Sequence, residues 1–204
     1  MIIKMRSEKL EIKCFCFLSL ISYFVRFMEP IEIANKLKER FPEEVLDIKE
    51  FRGQVSVTVR KGKILEISRY LHDEPDLYFD YLIDLCGADY LGKKDNRFEV
   101  VYHLYSIKHR HMIRLKAEVS ENSPSIDSVM PVWVGVNWHE REAYDMYGIV
   151  FNGHPDLRRI LLPEDWEGHP LRKDYPVKGP EKEWPGFLDV LDKAKRYSEF
   201  EWHG

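Results

Sequence analysis

Between residues 153 and 186 the chain places six of its eleven prolines, Pro155, Pro163, Pro170, Pro176, Pro180 and Pro185, with charged residues between them and little hydrophobic periodicity. Proline fixes φ, lacks a backbone donor and holds the residue before it in extended geometry. A segment written this way cannot make a core of its own, so it has to be laid over something else. The core must come from the residues before it.

Those residues have the patterns for it. Ile31, Ala34, Leu37 and Phe41 recur at helical spacing after Pro30, and Pro42 stops the helix. Val45–Lys49 and the alternating Val55, Val57 and Val59 flank Gly53 and read as a hairpin. Ile64, Leu65, Ile67, Ser68 and Leu71 restore the helical period after Gly62, and it ends at His72–Pro75. Tyr78–Cys86 suits either helix or strand, with strand favoured for its second half. Phe98–Ser106 and Met112–Val119 alternate on either side of a basic turn and should pair antiparallel. Asn137 followed by Glu140 has the form of a capping box opening a helix over Trp138–Tyr147, with Gly148 just past its end. A last short helix is expected over Asp189–Arg196. The expected fold class is α+β, a mixed, largely antiparallel sheet packed with helices and followed by an extended Pro-rich C-terminal tail. The expected divisions are a leader 1–27, an α+β domain 28–150 and a tail 151–204 packing on a partner.

Of the 204 residues 44% are hydrophobic, with 11 Phe, 11 Tyr and 5 Trp, which excludes wholesale disorder. The formal net charge of -4 argues against a general hold on nucleic-acid phosphates. Cys14, Cys16 and Cys86 are the only cysteines, so a zinc ribbon or self-contained iron–sulfur cluster lacks its ligands. The uncharged run Cys14–Val25 would span about 18 Å as a helix, short of a hydrocarbon core of roughly 30 Å. With Glu8 and Glu11 in the leader and no cleavage site after the run, it also makes a poor signal peptide. Met28 is the expected start of the working chain, an interfacial anchor being the other reading.

Reactive side chains are densest among His139, Glu140, Glu142, Asp145, His154, Asp156 and His169. A metal-dependent hydrolase could draw ligands from them, but Ala143 stands where a His-Glu-x-x-His helix needs its second histidine. The plainer expectation is a charged helix face, with Glu142 and Asp145 at i, i+3. Two related elements follow, Gly153-His154-Pro155-Asp156-Leu157-Arg158-Arg159 and Gly168-His169-Pro170-Leu171-Arg172-Lys173-Asp174. In each, a turn and a proline fix the backbone so that basic residues project in definite directions. Acidic residues interleaved with these arginines favour pairing with carboxylates across a protein interface over phosphate capture. His109 and His111 are expected on an exposed turn, and Cys86 in the core. Trp166, Trp184 and Trp202 in the tail point to a protein contact.

The run Glu140-Arg141-Glu142-Ala143-Tyr144-Asp145-Met146-Tyr147-Gly148-Ile149-Val150-Phe151, then His154-Pro155-Asp156-Leu157-Arg158-Arg159-Ile160-Leu161, resembles the signature of the respiratory complex I 30 kDa subunit family, the C-subunits of NADH-quinone oxidoreductases. Glu167-Gly168-His169-Pro170-Leu171-Arg172-Lys173-Asp174-Tyr175-Pro176 resembles the family's next block. Tyr147 departs from a position expected to be aliphatic or Phe. The resemblance implies a peripheral-arm subunit that binds no cofactor itself, in a proton-pumping complex using NADH, FMN, iron–sulfur clusters and quinone. The implied partners are the quinone-site (49 kDa-type) subunit and its iron–sulfur neighbour, at the cytoplasmic face of the cell membrane, with membrane contact only through the complex. It further implies that Glu140, Arg141, Glu142 and Asp145 stabilise the helix and its junction, and that the two Gly-His-Pro elements steer the tail across the partner. Equivalent subunits of membrane-bound hydrogenases or F420-dependent dehydrogenases are the alternative, and the lone hydrolase a further one.

Overall fold

The computed structural model describes residues 27–177 and 185–198. The reading of the leader turns on residues 1–26 and so lies outside the described residues, as do Trp184 and Trp202. Helix α1 spans Pro30–Arg40, with Pro30 at its first turn. Its buried residues are Ile33, Ala34 and Leu37, while Ile31, expected on the inner stripe, is exposed. Strands β1 (Val45–Phe51) and β2 (Gln54–Val59) form the expected antiparallel hairpin. Arg52 and Gly53 both take positive φ at its tip, as a tight hairpin turn demands. A short 3-10 turn at Lys61–Lys63 leads into helix α2, Ile64–Asp73, which buries Ile64, Ile67, Ser68 and Leu71. This is the i, i+3, i+4, i+7 stripe of the sequence.

Strands β3 (Tyr81–Asp89), β4 (Phe98–Tyr105) and β5 (Met112–Val119) run as an antiparallel meander. β5 also pairs with β2, in parallel, which joins hairpin and meander into a five-stranded sheet of order β1-β2-β5-β4-β3. The ambiguous apolar run is therefore strand in its second half, and it continues to Asp89. Alternate residues of the central strands face the core: Val55, Val57 and Val59, then Ile113, Leu115, Ala117 and Val119, then Phe98, Val100, Tyr102 and Leu104 are all buried. Helix α1 packs against β1, β2 and β5. On the other face Glu99, itself buried, takes Lys116 at 2.9 Å and Lys94 at 2.5 Å. Arg114 Nε donates to His103 Nε2 at 2.8 Å.

Beyond the sheet, β6 (Ser125–Asp127) and β7 (Val150–Asn152) form a short parallel pair around helix α3, Val136–Tyr147. Helix α3 packs beside β3. Gly87 makes that approach possible, because a Cβ there would stand 2.6 Å from the Tyr147 ring. Helix α4 covers Pro185–Ser198, longer than the turn or two expected from Asp189.

Two expectations about burial are overturned. His109 and His111 are 3% and 1% exposed. Their Nε2 atoms meet the carbonyls of Pro75 and Leu77 at 2.9 and 2.7 Å, and the rings stack on one another. They tie the β4–β5 turn to the connection before β3, a contact across 34 residues that no local pattern announces. Cys86, conversely, is exposed, because its side of β3 faces outward beside α3 rather than into the core.

The assignment of sheet faces gives a direct test. Leu115→Ala should lower the unfolding free energy by about 2–5 kcal/mol, since it empties a core site on the central strand. Ser56→Ala, on the opposite face, should change it by less than about 0.5 kcal/mol in the same denaturant titration.

Candidate functional site at the helix–tail junction

Helix α3 does not begin as a capping box. Gly135 is its N-cap residue with no side-chain cap, and Asn137 already lies inside the first turn. Glu140 turns inward instead, because the segment after β6 brings hydrogen-bond donors to it. It is fully buried; Ser128 Oγ donates to its Oε2 at 2.6 Å and the Val129 amide to its Oε1 at 2.8 Å. With no cation among these donors, burial dominates and pushes its pKa up to about 7. The imidazole Nε2 of His154, also buried, stands 4.0 Å from Oε2.

One turn on, Asp145 is equally buried and differently served. Its Oδ2 accepts the consecutive amides of Ile160, Leu161 and Leu162 at 3.1, 2.8 and 2.9 Å. Arg159 Nη1 donates to its Oδ1 at 2.6 Å. Burial alone would raise this pKa, but the three amides and Arg159 outweigh it and hold the carboxyl below its ordinary value. Of the charged face expected from Glu142 and Asp145, only Glu142 is exposed; Asp145, like Glu140, turns inward. Glu140 and Asp145 are two buried carboxyl groups with opposite electrostatic environments.

The last turn of a helix leaves four carbonyls without intrahelical partners. Here the cap glycine serves one and the chain's own tail supplies the donors for the other three. Gly148 N–H donates to Tyr144 O at 2.8 Å, and Asp145 O lies 2.9 Å from His169 Nδ1. Leu171 N–H donates to Met146 O at 3.1 Å, and Arg172 Nε to Tyr147 O at 2.6 Å. Two arginines and a histidine thus gather where the helix dipole is negative. Gly148 takes φ +73, and a Cβ there would lie 2.5 Å from both His169 Nε2 and Arg172 Nη2. Both the backbone angle and the space under the tail require glycine.

Arg159 continues outward, with Nη2 donating to the carbonyls of Trp166 and Gly168, each at 3.0 Å. Arg141 donates to Arg158 O and Arg159 O at 3.1 and 3.2 Å, and its guanidinium lies over the Trp138 ring. A second anchor fixes the far end. Arg97 pairs with Asp89 (2.8 Å), Glu121 (2.6 Å) and Asp174 (2.5 Å), and the Lys173 amide donates to Asp89 at 2.8 Å. Burial opposes ionisation of Asp89, but Arg97 and the amides of Lys173 and Leu91 prevail and bring its pKa down to about 2. Residues 153–177 are therefore laid first on the chain's own domain.

The candidates named from the sequence separate accordingly. Glu140, Arg141, Asp145, Gly148, His154, Arg159, His169 and Arg172 meet in this junction, Lys173 and Asp174 belong to the second anchor at Arg97 and Asp89, and Leu157 packs on the core. Pro155, Gly168 and Pro170 set the turns between them. Glu142 lines a gap of about 190 Å³ between α3 and β3 with Asp84, Cys86 and Tyr147. Arg158 is exposed and pairs with neighbouring Asp156 at 2.7 Å. The arginines expected to seek carboxylates across an interface thus find Asp156 and Asp145 within the chain. No signal in the sequence marks Ser128, Asp89, Arg97 or Glu121, since a lone Arg among spaced acids carries no local signature. Of the side chains weighed as metal ligands, His139 lies against Asp84 at 3.3 Å, Asp145 is taken by Arg159 and three amides, Asp156 pairs with Arg158, and Glu142 is exposed. Among the described residues no group of three or more His, Cys, Asp or Glu is placed to hold a metal ion.

Removing Arg159 should leave Asp145 buried without its cation. Arg159→Ala is expected to cost about 3–5 kcal/mol and to open residues 158–175 to limited proteolysis. Asp145→Asn keeps the shape and should cost less. Equal protease resistance of Arg159→Ala and the unaltered chain would show that the tail is held elsewhere.

Residues 57–181, which contain this junction, match the profile of the family described as respiratory-chain NADH dehydrogenase, 30 Kd subunit. The NADH-quinone oxidoreductase C-subunit of Roseiflexus castenholzii is 54% identical over 145 residues, covering 71% of this chain and 83% of that protein. The C-subunit of the same oxidoreductase from Geobacter sulfurreducens is 53% identical over 148 residues, covering 72% and 90%. Among solved structures, a trypsin-resistant fragment of Nqo5 superposes with a TM-score of 0.54 at 29% identity, covering 64% of this chain and 100% of the fragment. A chain of an archaeal membrane-bound sulfane sulfur reductase shares the fold at a TM-score of 0.60 and 20% identity, covering 86% and 96%. With the family profile spanning more than half its length and relatives above half identity, the chain belongs to the 30 kDa subunit family of respiratory-chain NADH dehydrogenases.

Proposed function

We propose that this chain is a cofactor-free, non-catalytic subunit of the peripheral arm of a proton-translocating NADH-quinone oxidoreductase. In this reading it supports assembly and the quinone-site (49 kDa-type) subunit while other subunits carry electrons from NADH through FMN and iron–sulfur centres to quinone. The 54% identity to the Roseiflexus C-subunit carries the reading. Among the described residues no helix is long and apolar enough to cross a membrane. In this reading association with the cytoplasmic face of the cell membrane comes through partners.

The junction also suggests where a partner sits. Val134, in the turn just before α3, and Trp138, in its first turn, are 74% and 59% exposed; Leu161, on the overlying tail, is 62% exposed. The tail covers the helix at Asp145 and leaves this end of it bare. Arg141 holds the Trp138 ring from one side while itself fixed by two backbone carbonyls, which gives a rigid aromatic–arginine platform of the kind that dominates interface energetics.

Affinity purification of the tagged chain from gently solubilised membranes should recover the quinone-site subunit and NADH-to-quinone activity. Recovery only as a lone monomer would overturn the reading. Trp138→Asp should weaken incorporation by about 2 kcal/mol, roughly thirtyfold, with the chain still folded. Phe51→Asp, comparably exposed but at the far sheet edge, serves as the control and should incorporate normally.

A further inference from the structure

We propose that Glu140 and His154 form a proton-responsive joint, in which loss of the Glu140 proton to solvent draws the His154 ring across the gap between them and tightens the first loop of the tail onto α3. The tautomer follows from the surroundings. The Asp156 amide donates to His154 Nδ1 at 3.1 Å, so Nδ1 is an acceptor and the neutral ring carries its hydrogen on Nε2. That hydrogen faces Glu140 Oε2 at 4.0 Å, too far for a hydrogen bond, and Nε2 makes no other well-formed one, the Asn137 backbone being the acceptor that competes for it. Two fully buried side chains stand face to face with the bond between them unmade.

A protonated carboxyl explains the gap. Neutral Glu140 already takes the Val129 N–H and the Ser128 hydroxyl and draws a further N–H only weakly, whereas a carboxylate would accept one more as a charge-assisted bond, which is shorter and stronger. Burial places the change in the neutral range, with Glu140 raised to about 7, while burial also lowers His154 and keeps the ring neutral. The other groups bearing on the pair are few. Ser128 and Val129 donate to Glu140 from the segment after β6. From β4, the buried Tyr102 hydroxyl feels the Glu140 charge and that of Asp127. Arg141 disfavours a charged His154, while Asp156 and the Asn137 backbone favour it. None of these is a cation paired with Glu140, and the imidazole N–H and the unpartnered Tyr102 hydroxyl are the buried donors left to answer a new negative charge.

The test uses the full chain in solution. The His154 ring nitrogen shifts and the amide protection factors of residues 153–158 are followed from about pH 5.5 to about pH 8.5. Both should change with one midpoint near 7 in the unaltered chain, protection rising with pH. Both should stay flat in Glu140→Gln, which is neutral throughout. A flat response in the unaltered chain, or an unchanged transition in Glu140→Gln, would overturn the proposal. If Glu140→Gln does not fold, the infrared band of a protonated buried carboxyl in the unaltered chain decides. Its loss with the same midpoint supports the joint, and its absence at the acid end refutes it. Stability should move in a set direction: a carboxyl whose pKa rises from 4.5 to about 7 on folding contributes fully below 4.5 and loses that contribution as pH rises through about 7. The thermal midpoint of the unaltered chain should therefore fall relative to Glu140→Gln over that window. His154, held neutral in the fold, has the opposite effect below its ordinary 6.5 and is common to both chains.

Discussion

The carboxylate of Asp145 is the contact on which the junction depends. It stands in the last turn of α3 and collects three successive backbone amides and a guanidinium from residues 159–162. A buried carboxylate without such donors would cost several kcal/mol or stay protonated. With them it orients a stretch of backbone that has no regular hydrogen-bonding pattern of its own. A prolific acceptor is what an aperiodic, proline-interrupted segment needs, since its amides have no sheet or helix to satisfy them.

The exchange runs in both directions. The tail gains order from the helix, and the helix gains from the tail donors for the carbonyls its last turn leaves open. His169 and Arg172 take the place that water or a polar cap fills elsewhere, and Gly148 leaves room for them. Arg97 repeats the logic at the far end, where carboxylates from a strand end, a loop and the tail converge on one planar cation. Glu140 is the contrasting case, a carboxyl given two neutral donors and no cation.

Elements with a period were legible in the sequence, and contacts between distant residues were not. The valines of β2 and the stripe of α2 place themselves, because alternation and helical spacing are local properties. The parallel ladder between Val57 and Leu115 has no such mark, and neither do three-residue strands such as β6 and β7. The histidines of the β4–β5 turn read as exposed because their acceptors lie 34 residues away. For the site, the residue types and the fixed turns were legible, and the two signature blocks supplied the family. The destination of the charges was not, since an arginine's partner depends on how the tail folds back. Spacing alone could not distinguish Arg159, turned onto Asp145, from Arg158, paired at the surface.

The two rims of the five-stranded sheet are treated unequally, and this bears on how the chain survives alone. Helix α3 lies alongside β3, so that rim is not free to recruit another strand. The rim formed by β1 is open, but its register is broken between Val45 and Asp47, and Asp47, Lys49 and Glu50 project from it. An irregular, charged edge is a poor template for a neighbouring copy. A polypeptide made before it meets its partners is thereby guarded against sheet-to-sheet association, while the exposed surface around Trp138, proposed above as a partner site, stays open.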